Sequence, residues 1–303
     1  NFYEQKLNKK LKIFFFDIKK LKSLKKIVIK TKPDFIFHLA AQSLVLKSYQ
    51  KPIETWNTNL IGTLNVLESI KKINKKISVV LITSDKCYKN LEVKKAYKET
   101  DTLGGDDPYS ASKASAEILI NSYVKSFFSK KNNIRISSVR AGNVIGGGDW
   151  SNDRLIPDIM KSIFKNKKVK LRSQNSTRPW QHVLDVLNGY LILASKLKKN
   201  KRFNGQAFNF GPPKNSNYKV LDVVKEIKKN WSRLEWEFSK RTYHESTLLK
   251  LNSNKSLKSL KWKNKVKFKK LIQLVTDWYK CLYDNKNIYN FSINQIKNFS
   301  KNI

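Results

Sequence analysis

Tyr109 and Lys113 lie four residues apart in the segment DDPYSASKASAE. On a helix this spacing puts both side chains on one face. A free tyrosine is a poor base because its pKa is about 10, but an ammonium group one turn away favours the phenolate. The pair therefore predicts a tyrosine base that takes a proton from a hydroxyl group. The alternative is an exposed tyrosine and lysine, because a lysine-rich chain produces this spacing by chance.

The elements that would position this pair alternate between strands and helices. Apolar runs predict buried strands at residues 12–17, 33–41, 77–84 and 134–144, and amphipathic stretches predict helices at 19–30, 55–72 and 109–128. Such alternation is typical of a parallel sheet with helices on both faces. Ligands bind beyond the carboxyl ends of the strands in these folds. The polar residues at those ends are therefore the candidates for chemistry.

The second half of the chain is less regular. Its pattern predicts helices at 158–166, 182–197, 219–230 and 268–283, and strands at 169–173 and 206–212. We expect the strand at 206–212 to return to the sheet. Residues 285–303 are low in complexity and predict either a frayed tail or a weak additional helix.

The composition narrows the classes of function. The chain has 303 residues, 40% of them hydrophobic, which suffices for a real core. We find no apolar run of about eighteen residues that would predict a membrane span. The two cysteines have neither metal-site nor disulfide spacing, so we expect no metal and a cytoplasmic location. The net charge of +39 raises the alternative of nucleic-acid binding, but only eight of the 62 basic residues are arginine, which favours a compositional bias.

Four segments resemble the extended short-chain dehydrogenase/reductase family: TSDKCY (83–88), YSASK (109–113), RAGNVIGGGDW (140–150) and RPWQHVLDV (178–186). GGGDW and RPWQHV are most similar to the CDP-glucose branch of its nucleotide-sugar 4,6-dehydratases. The resemblance covers about residues 13–283. It implies a Rossmann-like, doubly wound parallel α/β sheet with a smaller, discontinuous C-terminal substrate-binding lobe. It also implies tightly held NAD as the cofactor and CDP-glucose as the substrate.

The resemblance further implies how the chain divides into domains. An NAD-binding domain is expected at residues 1–148, with 182–212 returning to it, and a mainly substrate-binding lobe at 149–284. The match begins at the family's third strand, and no glycine precedes Gly62. We therefore expect the Gly-rich turn that approaches a pyrophosphate to be missing. Such a chain would have an exposed sheet edge and a weakened hold on NAD.

Five catalytic residues carry over from the family by motif. Tyr109 would be the base for the sugar C4 hydroxyl, and Lys113 would lower its pKa and hold the nicotinamide ribose. Ser84 would bind the C4 oxygen. Asp85 would protonate the leaving C6 hydroxyl. Lys86 stands where the base at C5 is expected, a role that requires a lowered pKa.

Binding residues carry over in the same way. The cofactor is expected to contact Asp17, Ile18, Leu39, Ala40, Ala41, Gln42, Asn59, Tyr109 and Lys113. The substrate is expected to contact Asn143, Arg154 and Arg178, because a forked guanidinium suits a diphosphate. The family also implies a homodimer, often formed through the helix that bears Tyr109.

Three alternatives stay open. A sibling nucleotide-sugar epimerase or decarboxylase would share the tyrosine–lysine motif but would lack the pair Asp85 and Lys86. An inactive fragment would follow from the missing Gly-rich segment. A basic nucleic-acid-binding protein would bind DNA with a steep dependence on salt.

Overall fold

Helices and strands alternate through the residues that the computed structural model describes, which are 10–93, 95–130, 133–213, 216–239 and 249–301. The helices are α1 (Leu21–Thr31), α2 (Val45–Gln50), α3 (Pro52–Trp56), α4 (Gly62–Ile70), α5 (Pro108–Tyr123), α6 (Leu155–Phe164), α7 (Val183–Lys199), α8 (Val220–Asn230), α9 (Phe268–Tyr283) and α10 (Ile288–Lys301). The strands are β1 (Phe35–His38), β2 (Ile77–Ile82), β3 (Ile134–Ala141), β4 (Val144–Ile145), β5 (Val169–Leu171), β6 (Thr177–Arg178), β7 (Gln181–His182), β8 (Ala207–Phe210), β9 (Tyr218–Lys219) and β10 (Trp236–Phe238).

A parallel sheet with the strand order β1-β2-β3-β8 forms the centre of the fold. Phe35 of β1 lies opposite Ser78 of β2, and Ile77 of β2 lies opposite Ile134 of β3. β8 pairs in parallel with β3, so the chain returns to the sheet after α7. Because all four strands run the same way, their carboxyl ends meet at one edge, where ligands bind in such folds.

Helices cover both faces of this sheet. Side chains alternate between the two faces along β2. Val79 and Leu81 pack with residues of α1, α4 and α5, whereas Val80 packs with α7. Burial on both sides explains why the strands are almost continuously apolar. The doubly wound α/β fold predicted from the sequence is confirmed.

The strand predicted at residues 12–17 is wrong. This segment is irregular, and Phe15 within it is 82% exposed. A strand needs a hydrogen-bonded neighbour for its backbone, and in the described ranges β2 is the one strand that pairs with β1. The apolar run has the composition of a strand but joins no sheet. It ends in a turn in which the backbone N of Lys20 donates to the Asp17 carbonyl (2.9 Å).

The later helices form a smaller lobe around their own core. α6, α8 and α9 pack together through buried side chains such as Ile159, Val223 and Ile272. The low-complexity residues at the end contain α10, and Ile288 at its start is buried against this core. The structure therefore contains the additional helix and not a frayed tail over Ile288–Lys301. None of the helices in the described ranges is long and apolar enough to cross a membrane.

Candidate active site

The turn after β2 holds three of the predicted catalytic residues. Ser84 caps a short 3-10 turn, Asp85–Cys87, because its Oγ accepts a hydrogen bond from the backbone N of Lys86 (3.2 Å). The same hydroxyl donates to Asp85 Oδ1 (3.0 Å). Serine is favoured at such caps because its oxygen satisfies a backbone N–H that has no helical partner. The cap therefore holds the Ser84 hydroxyl and the Asp85 carboxyl side by side.

Gly142, just after β3, makes room for the carboxyl group of Asp85. A Cβ atom at position 142 would lie 1.8 Å from Asp85 Oδ2 and 2.2 Å from its Cγ. Asp85 is 3% exposed. Burial raises the pKa of its carboxyl, although the charge of Lys86 and the hydrogen bond from Ser84 oppose that shift. A raised pKa favours the protonated carboxyl, which is the form that a general acid needs.

Helix α5 begins beside this turn. Asp107 caps the helix, because its Oδ1 accepts a hydrogen bond from the backbone N of Ser110 (2.9 Å). Pro108 occupies the first turn, where its lack of an N–H costs nothing. The sequence DDPYS thus starts the helix directly before the predicted base, Tyr109.

Tyr109 and Lys113 both face the strand ends from α5. Tyr109 is buried, and Ser84 lies near enough to oppose the rise that burial causes in the pKa of its phenol. One turn later, the buried Lys113 donates from Nζ to the carbonyl of Ile82, the last residue of β2 (3.3 Å). The helix therefore brings the predicted base and lysine to the turn that contains Ser84 and Asp85.

Burial sets the pKa values of this pair. It raises the pKa of Tyr109 to about 12, although nearby Ser84 and the charge of Arg154 oppose that rise. It lowers the pKa of Lys113 to about 8. The Lys113 ammonium donates its hydrogen bond to the Ile82 carbonyl. Ser84 and Arg154 are the groups that favour the phenolate form of Tyr109. Tyr109 therefore needs further positive charge beside it to act as a base at neutral pH.

A cleft of about 420 Å³ opens at this edge of the sheet and extends into the lobe. Such a volume suits a small-molecule ligand. Its wall contains most of the predicted catalytic residues and all of the predicted substrate residues, namely Ser84, Asp85, Lys86, Tyr109, Asn143, Arg154 and Arg178. The structure thus joins residues that are about one hundred positions apart in the chain.

The two predicted arginines have different surroundings. Arg178 is 8% exposed, and its charge opposes part of the rise that burial causes in the pKa of Asp85. Arg154 joins the lobe to the loop after β1. Its guanidinium donates to Asp149 Oδ2 (3.3 Å) and to Ser43 Oγ (2.8 Å). Both arginines present positive charge to the cleft, as a diphosphate requires.

Sequence inspection missed another arginine in the cleft wall. Arg172 follows β5 directly, and its guanidinium contacts the carboxylates of Asp153 (3.3 Å) and Asp158 (3.9 Å). Tyr49 and Trp180 also line the cleft. The available signal was the scarcity of arginine in the chain, which makes an arginine at a predicted strand end a candidate for binding an anion.

Four of the nine predicted cofactor residues, at positions 39–42, lie at the neighbouring strand end, after β1. Leu39 is 56% exposed and Ala40 is also exposed, so the backbone of this segment is open to a ligand. Gln42 is buried, and its backbone N donates to Asn59 Oδ1 (2.9 Å). Asn59 in turn donates from Nδ2 to Ser112 Oγ (2.9 Å). It therefore ties this strand end to α5.

Asp17 and Ile18 lie just before α1. The exposed carboxylate of Asp17 accepts a hydrogen bond from the backbone N of Lys19 (2.9 Å), which lowers its pKa. Ile18 packs against α4, where a Cβ atom on Gly62 would lie 3.0 Å from its Cγ2. An exposed carboxylate suits the hydroxyls of a ribose, and an open run of small residues permits close backbone approach. The residues present therefore fit the ribose and the backbone contacts of a dinucleotide.

Known proteins are similar to this chain in sequence and in fold. A family model described as GDP-mannose 4,6 dehydratase matches residues 1–275. The chain belongs to this family. It is 39% identical over 282 residues to the CDP-glucose 4,6-dehydratase of Salmonella typhimurium, with 91% of this chain and 79% of that protein covered. These findings confirm the resemblance that was predicted from the four motifs.

Other relatives of this GDP-mannose 4,6 dehydratase family member include epimerases. UDP-glucose 4-epimerase of Mycoplasma genitalium is 26% identical over 295 residues, which cover 92% of this chain and 86% of that protein. Among solved structures, dTDP-glucose 4,6-dehydratase from Bacillus anthracis in complex with NAD superposes with a TM-score of 0.71 at 24% identity, covering 88% of this chain and 78% of that one. UDP-glucuronic acid 4-epimerase from Bacillus cereus, bound to UDP-glucuronic acid and NAD, superposes with a TM-score of 0.80 at 22% identity, covering 93% and 85%. At these identities the superpositions establish a shared fold.

Proposed function

We propose that the protein is an NAD-dependent nucleotide-sugar 4,6-dehydratase that converts CDP-glucose to CDP-4-keto-6-deoxyglucose. The observation that carries the proposal is that Tyr109, Ser84 and Asp85 line one cleft, in which the Ser84 hydroxyl donates a hydrogen bond to the Asp85 carboxyl. Oxidation at C4 needs a base, and loss of water across C5 and C6 needs an acid. The 39% identity to a CDP-glucose 4,6-dehydratase supports the choice of nucleotide.

The residues at the first strand end and on α5 would hold the cofactor. NAD, when bound, supplies a hydride acceptor for the sugar C4 and a hydride donor for C6. We assign its adenosine portion to Asp17 and Ile18, and its ribose to Lys113. The remaining proposed contacts are Leu39, Ala40, Ala41 and Gln42, with Asn59 supporting Gln42 from behind.

Tyr109 and Ser84 carry out the proton transfer of the oxidation step. Tyr109 takes the proton of the C4 hydroxyl, and the Ser84 hydroxyl binds the same oxygen. Because burial raises the pKa of Tyr109 to about 12, the phenolate depends on positive charge nearby. Lys113, one helical turn away, carries that charge at pH values below its own pKa of about 8.

Asp85 and Lys86 carry out the elimination. The C4 ketone acidifies C5, and Lys86 removes the C5 proton. Asp85 gives a proton to the C6 hydroxyl, which leaves as water. The raised pKa of the buried Asp85 carboxyl keeps that proton available. Lys86 then returns a proton to C5 as C6 is reduced, so the sugar loses one water with no net oxidation.

The nucleotide portion would lie on the lobe side of the cleft. We assign the diphosphate to Arg154 and Arg178, whose guanidinium groups match phosphate geometry. Asn143 lines the same wall and is assigned to the sugar. A cytoplasmic location is proposed as well, and two buried free thiols, Cys87 and Cys281, are compatible with a reducing compartment.

Incubation of the purified chain with CDP-glucose and NAD tests the function. We expect mass spectrometry to show the loss of one water from the sugar nucleotide. A product of unchanged mass but altered sugar configuration would instead establish an epimerase. Calorimetric titration with NAD separates the two remaining outcomes. An unchanged substrate with NAD bound contradicts the dehydratase proposal, whereas no binding of NAD contradicts the cofactor assignment.

We also propose that the protein is a homodimer built on the outer surface of α4 and α5. Large apolar side chains are exposed on α5, in the helical turn that follows it and in the turn before α4: Ile118 is 58%, Phe127 42% and Ile61 38% exposed. Light scattering after size-exclusion chromatography should give twice the chain mass of 35.4 kDa. Ile118→Glu should give a monomer, whereas Leu191→Glu, at a 60% exposed position on α7, should stay dimeric. A wild-type monomer would contradict this proposal.

A further inference from the structure

Glu117 is a buried carboxylate behind the proposed active site. It lies on α5 one turn after Lys113 and two turns after Tyr109, so all three share the face that packs on the sheet. Its residue exposure is 4%. A carboxylate this deep in a protein is costly unless it is fully paired. Its partners therefore indicate why the fold keeps it.

Three side chains from two strand ends donate to this carboxylate. The hydroxyl of Thr83, which precedes Ser84, donates to Glu117 Oε1. Ser138 Oγ (2.9 Å) and Arg140 NH2 (2.7 Å), both on β3, donate to Oε2. Thr83 follows the last residue of β2, and Arg140 lies two residues before Gly142. Glu117 thus joins the catalytic helix to both strand ends that shape the Asp85 turn.

Arg140 extends the connection on its other side. It is 4% exposed, and its NH1 donates to Tyr88 Oη (2.8 Å) and to the Glu99 carbonyl (3.2 Å). Tyr88 Oη in turn donates to Asn209 Oδ1 on β8 (2.8 Å). Tyr88 is the residue that ends the 3-10 turn containing Asp85 and Lys86. The ion pair therefore holds both the start and the end of that turn.

We propose that Glu117 is a positioning residue for the reaction: with Arg140 it fixes the turn of Ser84, Asp85 and Lys86 against helix α5, and its charge supports the ammonium of Lys113. The kinetic consequences of this inference rest on the proposed function. Its structural part, the coupling of α5 to the turn, does not depend on which substrate binds. A displacement of about 1 Å at reacting groups can cost about 100-fold in rate.

The charged and titratable groups around Lys113 decide the sign of the pH effect. Tyr109 and Glu117 face it from its own helix, Cys87 faces it from the turn, and His38 faces it from the end of β1. Burial lowers the pKa of His38 to about 4, so this imidazole is neutral at working pH. The Cys87 thiol is also neutral there, because burial raises its pKa. Glu117 is therefore the group that supplies negative charge to Lys113.

Glu117→Gln tests the proposal because it keeps the size of the side chain and removes its charge. Lys113 should then lose its proton at a lower pH, so the decline of kcat on the alkaline side should move to lower pH. We expect kcat at its optimum to fall by up to about 100-fold, with KM for CDP-glucose little changed. Glu117→Asp keeps the charge but shortens the reach, so it should lower kcat and leave the alkaline limb in place.

Asp185→Asn is the matched control. Asp185 on α7 is 1% exposed, and it accepts hydrogen bonds from the backbone N of Lys265 (2.8 Å) and of Val266 (3.1 Å), outside the cleft. Its replacement removes an equally buried, hydrogen-bonded carboxylate. We expect it to lower the melting temperature but to leave the pH profile unchanged.

Amide hydrogen exchange of residues 83–88 supplies a readout that needs neither NAD nor turnover. Exchange should be faster in Glu117→Gln than in the wild type and unchanged in Asp185→Asn. Unchanged exchange in Glu117→Gln would overturn the positioning role even if the wild type is inactive. In an active wild type, an alkaline limb that stays in place in Glu117→Gln would overturn the electrostatic role. If Glu117→Gln does not fold, Glu117→Asp replaces it in the test. A shift of the alkaline limb to lower pH in Glu117→Asp would then overturn the electrostatic role.

Discussion

Replacement of Tyr109 by phenylalanine is expected to lower kcat by about 100- to 10,000-fold, the usual contribution of a general acid–base group. The change removes one buried oxygen and keeps the aromatic ring, so the fold and the cleft should persist. Without the phenol, the proton of the C4 hydroxyl has no acceptor and the oxidation stops. The measurement is the rate of formation of CDP-4-keto-6-deoxyglucose, together with absorbance of reduced cofactor in a single turnover.

Tyr123→Phe is the control on the same helix. Tyr123 donates from its hydroxyl to Glu68 Oε1 (3.0 Å) away from the cleft, so its loss should leave kcat unchanged. If Tyr109→Phe retained wild-type kcat, Tyr109 would not be the base. If both variants lost activity equally, the effect would be one of helix stability and not of proton transfer.

An Asp85→Asn variant is expected to separate the two halves of the reaction. The amide has the shape of the carboxyl, so it fits against Gly142 and can still accept the hydrogen bond from Ser84. It cannot give up a proton to the leaving C6 hydroxyl, so loss of water should slow by about 100- to 10,000-fold. Tyr109 is unchanged, so oxidation at C4 should continue. Reduced cofactor should therefore accumulate in a single turnover, together with a C4-oxidised sugar nucleotide that has not lost water.

Asp277→Asn is the control variant, at a second carboxyl whose pKa is raised by burial. Asp277 lies on α9 and is half-buried, and burial raises its pKa as it does that of Asp85. This variant should dehydrate CDP-glucose at the wild-type rate. Loss of oxidation and elimination to the same degree in Asp85→Asn would show that Asp85 shapes the turn and does not act as the acid.

Local patterns in the chain were sufficient to predict the elements that carry the site. The strands at Ile77–Ile82 and Ile134–Ala141 were detectable because burial on both faces demands continuous apolar residues. The face shared by Tyr109 and Lys113 followed from helical geometry alone. The position of the turn at Ser84 followed from the polar residues that end an apolar run.

Strand pairing was harder to predict, because it depends on a partner elsewhere in the chain. Residues 12–17 have the apolar composition of a strand but form none. The low-complexity end shows the opposite case. Its helix, Ile288–Lys301, has a core to pack on, since Ile288 is buried against the lobe. In both cases the outcome was set by whether a neighbour was present and not by local propensity.

The amino-acid sequence determined which groups are available for chemistry: a tyrosine and a lysine on one helical face, and a serine, an aspartate and a lysine at a strand end. The tertiary structure decided how those groups behave. Burial moves the pKa values of Tyr109 and Lys113 apart, to about 12 and about 8. Contacts far apart in the chain, such as Asp85 with Gly142 and Glu117 with Arg140, set the geometry. Desolvation and long-range pairing depend on which surfaces meet in space, and no local pattern contains that information.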